Sequence, residues 1–367
     1  MKTTQQLHDL GQSLWLDNMT RELLASGTLD RYISELSITG LTSNPTIFDH
    51  AIRNTDAYDD AVHKKAVAGK SDETLFFELA LEDLTRAADL FHSTYVATDG
   101  IDGWVSLEVS PLLVNDTAGT IQAAKQLYTQ ARRPNLFIKI PGTEAGIAAI
   151  EESIFAGVPV NVTLLFSREH YIAAAEAYMR GIERRIDANL DARVASVASL
   201  FVSRWDVAIK DKVPDALRNR LGIAIAQRTY KAYCELLVSP RWKKLAKAGA
   251  KPQRLLWAST GTKDPTASDT LYIDALAAPN TVNTMPEKTL LAYAEHGVMK
   301  NTLPQDGGNA EAVIAEVARA GVDDATLADQ LQREGAQSFA KSWKDLMACI
   351  ASKIAKLKQS HAGETKL

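Results

Sequence analysis

Eight short runs rich in β-branched and apolar residues recur along the chain, and helix-forming stretches separate most neighbours. The runs are LWLDN (14–18), ITGLTSN (38–44), WVSLEVS (104–110), NLFIKIP (135–141), VPVNVTLLFS (158–167), RVASVASLFVS (193–203), RLLWAST (254–260) and NTVNTM (280–285). Strands that alternate with helices pair in parallel. Eight such units predict an α/β fold closed on itself, a single (β/α)8 TIM barrel, whose usual size is about 250 residues before insertions. An open, doubly wound sheet is the alternative. It wants a glycine-rich first turn, and GxGxxG does not occur.

The chain has 367 residues, so the excess over a bare barrel needs a home. Residues 49–95 are rich in Ala, Asp, Glu, Leu and Lys and read as helices inserted after the second strand. Residues 308–360 read as C-terminal helices. There Leu327, Leu331, Phe339, Trp343, Leu346, Ile350, Ile354 and Leu357 recur mostly at three- or four-residue steps, as on one helical face. No Pro/Gly/Ser linker sets either segment apart, so residues 1–367 read as one domain.

Charge and cysteine usage exclude several function classes. Forty-one Lys+Arg against 45 Asp+Glu leave a formal charge of −4, which exerts no long-range pull on nucleic acid or an anionic membrane. The basic stretch Arg241, Lys243, Lys244, Lys247, Lys251 and Arg254 reads as a solvated helix face. Cys234 and Cys349 form no C-x-x-C pair, and the histidines lack metal-ligand spacing, so no metal site is expected. The opening MKTTQQLHDLGQSLWLDN has no apolar core for a signal peptide, and no run approaches the roughly 18 apolar residues of a membrane helix. A cytoplasmic setting without nucleic-acid or membrane partners is the expectation. A homodimer is compatible with the sequence.

The polar residues inside the strands carry the chemistry. Side chains alternate faces along a strand. Val105, Leu107 and Val109 therefore oppose Ser106, Glu108 and Ser110. Leu136, Ile138 and Ile140 oppose Phe137 and Lys139, while Val160, Val162 and Leu164 oppose Asn161 and Thr163. Asp17 and Asn44 stand near the ends of the first two runs. The apolar faces should meet outer helices, and the polar faces should point into the barrel. Barrel interiors are normally layered with Val, Ile and Leu, and buried charges are rare unless paired. A Lys139–Glu108 ion pair plugging the barrel is the bland reading. The alternative is catalysis.

A lysine out of water favours its neutral amine, a nucleophile toward carbonyls. The protonated imine it forms is an electron sink that lets a neighbouring C–C bond break or form. No cofactor is then required, and no P-loop, dinucleotide fingerprint or HExxH motif occurs. Asp17 and Glu108 supply acid/base groups. Thr163 and Ser199 can orient water or substrate, and Asn44 and Asn161 can hydrogen-bond sugar hydroxyls. His170, after the fifth strand, is read as structural.

These residues lie in segments that resemble a known family. Gly40-Leu41-Thr42-Ser43-Asn44-Pro45-Thr46-Ile47-Phe48 resembles the N-terminal signature of the transaldolase family. Leu136-Phe137-Ile138-Lys139-Ile140-Pro141-Gly142-Thr143, continuing to Ile147, resembles the signature around its Schiff-base lysine. VSLEVSP, VNVTLLFS and SLFVSRWD look like family segments in the same chain order, and the resemblance spans roughly residues 10–300. It implies a class I aldolase barrel with Lys139 as the imine lysine. Glu108 and Thr163 would hold the catalytic water, and Asp17 would act on the substrate hydroxyl whose deprotonation drives cleavage. Asn44, Asn161 and Ser199 would orient the dihydroxyacetone unit, and Arg204 would bind the substrate phosphate.

The sequence departs from the best-known branch after the seventh strand. That branch has an Arg shortly after the serine. Here Ser259 matches, but the basic residue is Lys263, a point charge rather than a fork. Leu200 stands where proline is common. The implied reaction moves dihydroxyacetone between sugar phosphates: sedoheptulose 7-phosphate plus glyceraldehyde 3-phosphate to erythrose 4-phosphate plus fructose 6-phosphate. The alternative is a related aldolase that releases dihydroxyacetone from fructose 6-phosphate. That branch tends to carry Gln at position 108 and Tyr at position 201, where this chain has Glu and Phe. A catalytically dead barrel used as a binding protein is the reading from another class, and the intact set Lys139, Glu108, Asp17 and Thr163 argues against it.

Overall fold

A computed structural model describes residues 2–299 and 301–364. Eight parallel strands close into a barrel in chain order. They are β1 (Gln12–Asp17), β2 (Ile38–Thr42), β3 (Trp104–Glu108), β4 (Leu136–Pro141), β5 (Val160–Leu165), β6 (Ser196–Phe201), β7 (Arg254–Ala258) and β8 (Thr281–Met285), and β8 pairs with β1. Every one of the eight runs holds a strand, so the (β/α)8 expectation stands. Between β2 and β3 lie helices Pro45–Asn54, Asp59–Val67, Asp72–Leu90 and His92–Ala97. After β8 come Glu287–His296, Ala310–Arg319 and a 41-residue helix, Asp324–Glu364. Among the described residues no helix is long and apolar enough to cross a membrane.

Strand alternation sorts the apolar residues into two clusters. Val105, Leu107, Val109, Leu136, Ile138 and Ile140 join the outer core, where strands meet helices. Trp15, Trp104, Phe137, Val197, Leu256 and Val282 form part of an inner cluster that fills the barrel. The Phe137 ring stacks on Trp104 at 4.0 Å between centroids. Each such buried side chain contributes roughly 1.5–3 kcal/mol. Gly40 makes room for this packing. A Cβ there would lie 2.6 Å from the Trp104 carbonyl oxygen and 2.7 Å from Trp15 Nε1.

The N-terminal end of the barrel is closed by a polar network. Arg254, 7% exposed, donates to Ser13 Oγ at 2.6 Å and to the Thr281 carbonyl at 2.7 Å. Ser13 donates to Asp102, which also accepts from Trp15 Nε1 at 2.9 Å. Arg254 is thus not on the solvated helix face expected for the basic stretch. It opens β7, and alternation turns it inward. Arg241 pairs instead with Glu176 and Glu183, and Lys251 with Asp99.

A second departure is Leu164, expected to share the outer face with Val160 and Val162. The β5–β6 register shifts between Val162 and Leu165, and Leu164 takes a left-handed φ of 59°. It joins the inner cluster, while Leu165 takes the outer position. A bulky residue there is an outlier, and pattern reading that assumes a regular pleat cannot see it.

The helix Asp324–Glu364 extends about 60 Å at 1.5 Å per residue. Leu327, Leu331 and Phe339 belong to the inner cluster, and Trp343, Leu346 and Ile350 to the outer one. Gln332 Nε2 donates to the carbonyls of Leu164 (3.0 Å) and Gly142 (3.1 Å). Farther along, Trp343 meets the edge of Phe76 at 5.1 Å, and Lys353 Nζ donates to the Ile52 and Thr55 carbonyls at 2.7 and 2.6 Å. The helix therefore crosses the mouth formed by the C-terminal ends of the strands and then docks on the added helices.

Candidate active site

Parallel strands bring all their C-terminal ends to one face, so inward residues late in each strand converge there. Register sets the neighbours. Glu108 of β3 lies opposite Lys139 of β4, and Lys139 lies opposite Asn161 of β5. Lys139 is 6% exposed and Glu108 5%. Glu108 Oε2 stands 3.3 Å from Lys139 Nζ, a contact of charges without hydrogen-bond geometry. Lys139 Nζ also donates to the Ser43 carbonyl at 3.4 Å. Both Glu108 carboxyl oxygens and Thr163 Oγ1 are buried without a protein hydrogen-bond partner. Native structures rarely leave such groups idle; here Glu108 faces the amine and Thr163 lines the same cleft as Lys139.

Of the ten residues singled out in the sequence, eight line one cleft of about 640 Å3, counting the space open to solvent: Asp17, Asn44, Lys139, Thr163, Ser199, Arg204, Ser259 and Lys263. The other two adjoin it. Glu108 reaches it through Lys139. Asn161 accepts from Ser199 Oγ at 2.7 Å and donates to Ser106 Oγ at 3.1 Å. Asn44 Oδ1 accepts the Ile47 N–H at 3.1 Å, which caps Pro45–Asn54 and leaves its amide nitrogen for a ligand. Ser259, held at a φ of 56°, pairs its hydroxyl with Ser203 at 2.9 Å. Lys263 is exposed in the loop after β7.

Electrostatics ties the carboxyls to the lysine. Burial raises the pKa of Asp17 above the usual carboxylate value. The Lys139 cation, a 2.8 Å hydrogen bond from Thr42 and the Lys263 cation oppose that rise. Burial raises Glu108 too, against the pull of Lys139 and with the push of the Asp17 charge. Two carboxyls held toward their protonated forms beside an amine can take and return protons.

A family model described as Transaldolase/Fructose-6-phosphate aldolase matches residues 14–350. The chain belongs to this family. It is similar to the protein named Transaldolase in Thermobifida fusca (strain YX), 43% identical over 360 residues, 96% of this chain and 98% of that one. It is similar also to the Transaldolase of Saccharopolyspora erythraea (44% identical, 95% and 96% covered) and to that of Arthrobacter sp. (strain FB24) (42%, 97% and 99%).

Several cleft residues escaped the sequence reading. Thr42 and Thr284 line it and share a 2.7 Å hydroxyl contact. Thr42 sits inside the first transaldolase-family signature, which was the available signal. Phe339 lines it from the long helix, and nothing in its spacing separates it from the other apolar positions of that helix. His170 lies outside the cleft lining. Its Nδ1 accepts the Phe166 N–H and its Nε2 meets Asp329, both at 3.3 Å, tying the end of β5 to the long helix. Among the described residues no cluster of His, Cys, Asp or Glu has the form of a metal site.

Proposed function

We infer that this enzyme is a transaldolase acting in the pentose phosphate pathway through an imine on Lys139. The observation that carries the reading is the buried Lys139, 3.3 Å from the Glu108 carboxyl and sharing a cleft with Asp17, in a chain 42–44% identical to proteins named Transaldolase. The donor ketose phosphate loses its carbonyl oxygen as water when the Lys139 amine condenses with it. Asp17 takes the proton of the hydroxyl on the carbon that becomes the aldehyde. The C–C bond breaks, and its electron pair passes into the iminium to give an enamine. The aldose phosphate departs. A new aldose phosphate then accepts the enamine carbon at its aldehyde carbon, and its oxygen takes back the proton. Water hydrolyses the second imine.

Glu108 and Thr163, with their unpartnered oxygens, suit a water that shuttles these protons. Asn44, Asn161 and Ser199 suit the three-carbon unit, and Arg204, Ser259 and Lys263 suit the phosphate. Cytoplasmic sugar phosphates are the substrates this reading requires. The test is borohydride reduction with fructose 6-phosphate, followed by peptide mass mapping. The expected product is a dihydroxyacetone-derived adduct on the Lys139 peptide, lost in Lys139→Ala. Turnover without an adduct on Lys139 would refute the reading.

A further inference from the structure

Phe339 is 8% exposed and lines the same cleft as Lys139 and Arg204. Its ring centroid lies 5.6 Å from Lys139 Nζ and 6.0 Å from Arg204 Cζ. Anchors on both sides hold it at that height. On one side, Gln332 hydrogen-bonds the carbonyls at the ends of β4 and β5. On the other, Thr46 Oγ1, from the helix after β2, donates to Ser342 Oγ at 2.9 Å. Gly335, one turn before Phe339, lets the helix sit this low. A Cβ there would lie 2.9 Å from Leu164 Cδ2 and 3.2 Å from Arg204 Nη1. An apolar ring is thus fixed over a lysine, on a helix that need not cross the mouth to complete a barrel.

We propose that Phe339 is a positioning residue that keeps bulk water off the lysine-bound three-carbon unit, so that the unit is transferred rather than released. The proposal rests on the transaldolase reading above. Once the donor is cleaved, the enamine has two fates. In transfer its carbon attacks an aldehyde. In release that carbon takes a proton and gives the iminium. Water oxygen then adds to the former carbonyl carbon, the C–Nζ bond breaks with its electron pair on nitrogen, and dihydroxyacetone leaves. Release therefore consumes one water before any new C–C bond has formed. Transfer needs hydrolytic water only afterwards, when the imine of the new ketose is hydrolysed. Closing a site against solvent suppresses hydrolysis of such intermediates. The ring face also attracts a cation at the position of Nζ.

The experiment supplies fructose 6-phosphate and erythrose 4-phosphate and measures free dihydroxyacetone per sedoheptulose 7-phosphate formed. Phe339→Ala should raise that ratio roughly 10-fold or more while the borohydride adduct on Lys139 still forms. Phe339→Leu, which keeps part of the cover, should raise it about 3-fold, and it carries the test if the Ala variant does not fold. Leu346→Ala loosens the same helix in the outer core without uncovering Lys139 and should leave the ratio unchanged. An unchanged ratio in both Phe339 variants would overturn the proposal. So would an equal rise in Leu346→Ala, because Phe339 would then only help hold the helix. A missing adduct in the unaltered enzyme would overturn the transaldolase reading and this one with it. An adduct with unchanged partitioning overturns this one alone.

Discussion

Asn44 serves two ends with one amide. Its oxygen caps a helix and its nitrogen is left facing the cleft. Asn44→Asp keeps the acceptor and loses the donor. Its unfolding free energy should stay within about 0.5 kcal/mol of the parent, whereas Asn44→Ala should lose about 1 kcal/mol. Both should lose about 10-fold or more in kcat/KM, the cost of one missing substrate hydrogen bond. Denaturant melts beside steady-state kinetics read the two roles separately, and full activity in Asn44→Asp would confine the residue to capping. Glu108→Gln keeps the shape and removes the base. Transfer should slow by about 10²–10⁴-fold, with more dihydroxyacetone released per turnover; an unchanged rate and partition would make Glu108 a mere partner of Lys139. Asp206 sits apart from the cleft and makes a pH prediction. Burial pushes its carboxyl up to about 6, even though Tyr272 Oη and the Leu221 and Gly222 N–H groups donate to it. The folded chain holds this proton more tightly than the unfolded chain does. The resulting stability is complete below about pH 4 and is lost as pH rises through about 6. Against Asp206→Asn, which cannot titrate, the parent should lose roughly 2 kcal/mol of unfolding free energy between pH 4 and pH 7. Parallel pH profiles for the two proteins would contradict this.

Single elements decide what the pattern of residues could and could not reveal. β3 and β4 are regular, so period-two alternation placed Ser106, Glu108, Phe137 and Lys139 inward, and they are inward. β5 obeys the same rule through Thr163 and fails at Leu164, where a left-handed residue reverses the faces. The failure has a use. The turned backbone offers the Leu164 carbonyl to Gln332, which fastens the long helix. Removing that donor in Gln332→Leu should cost about 1–2 kcal/mol locally. Amide exchange near residues 327–340 should then quicken roughly 10-fold while the strands keep their protection. Uniform protection in both proteins would show that the anchor is redundant. The long helix itself was readable as a helix but not as a bridge. Its apolar stripe has one period yet serves two clusters, and a 3.6-residue repeat carries no mark of where one ends and the next begins. Arg254 was obscured in the same way, because it closes a basic run in sequence while opening a strand in space.

At the scale of the whole molecule, the active cleft opens at one end of the barrel, and a separate cleft of about 1140 Å3 at the other end has Trp104, Phe137 and Arg254 in its wall. The rings of Trp15, Trp104 and Phe137 fill the barrel below Lys139, and the Arg254–Ser13–Asp102 network lies beneath them. The cleft that holds Lys139 opens beside the long helix, which lines it through Phe339. On the proposed imine mechanism two sugar phosphates do not occupy Lys139 at once, so the aldose left by the donor has to exit before the next can enter. Kinetically, that is a substituted-enzyme sequence. Initial rates at varied donor and acceptor concentrations should give parallel double-reciprocal lines. The first aldose product should compete with the acceptor for the lysine-bound form. Intersecting lines would require both sugars to bind together. A single cleft built around a single amine thus imposes a queue.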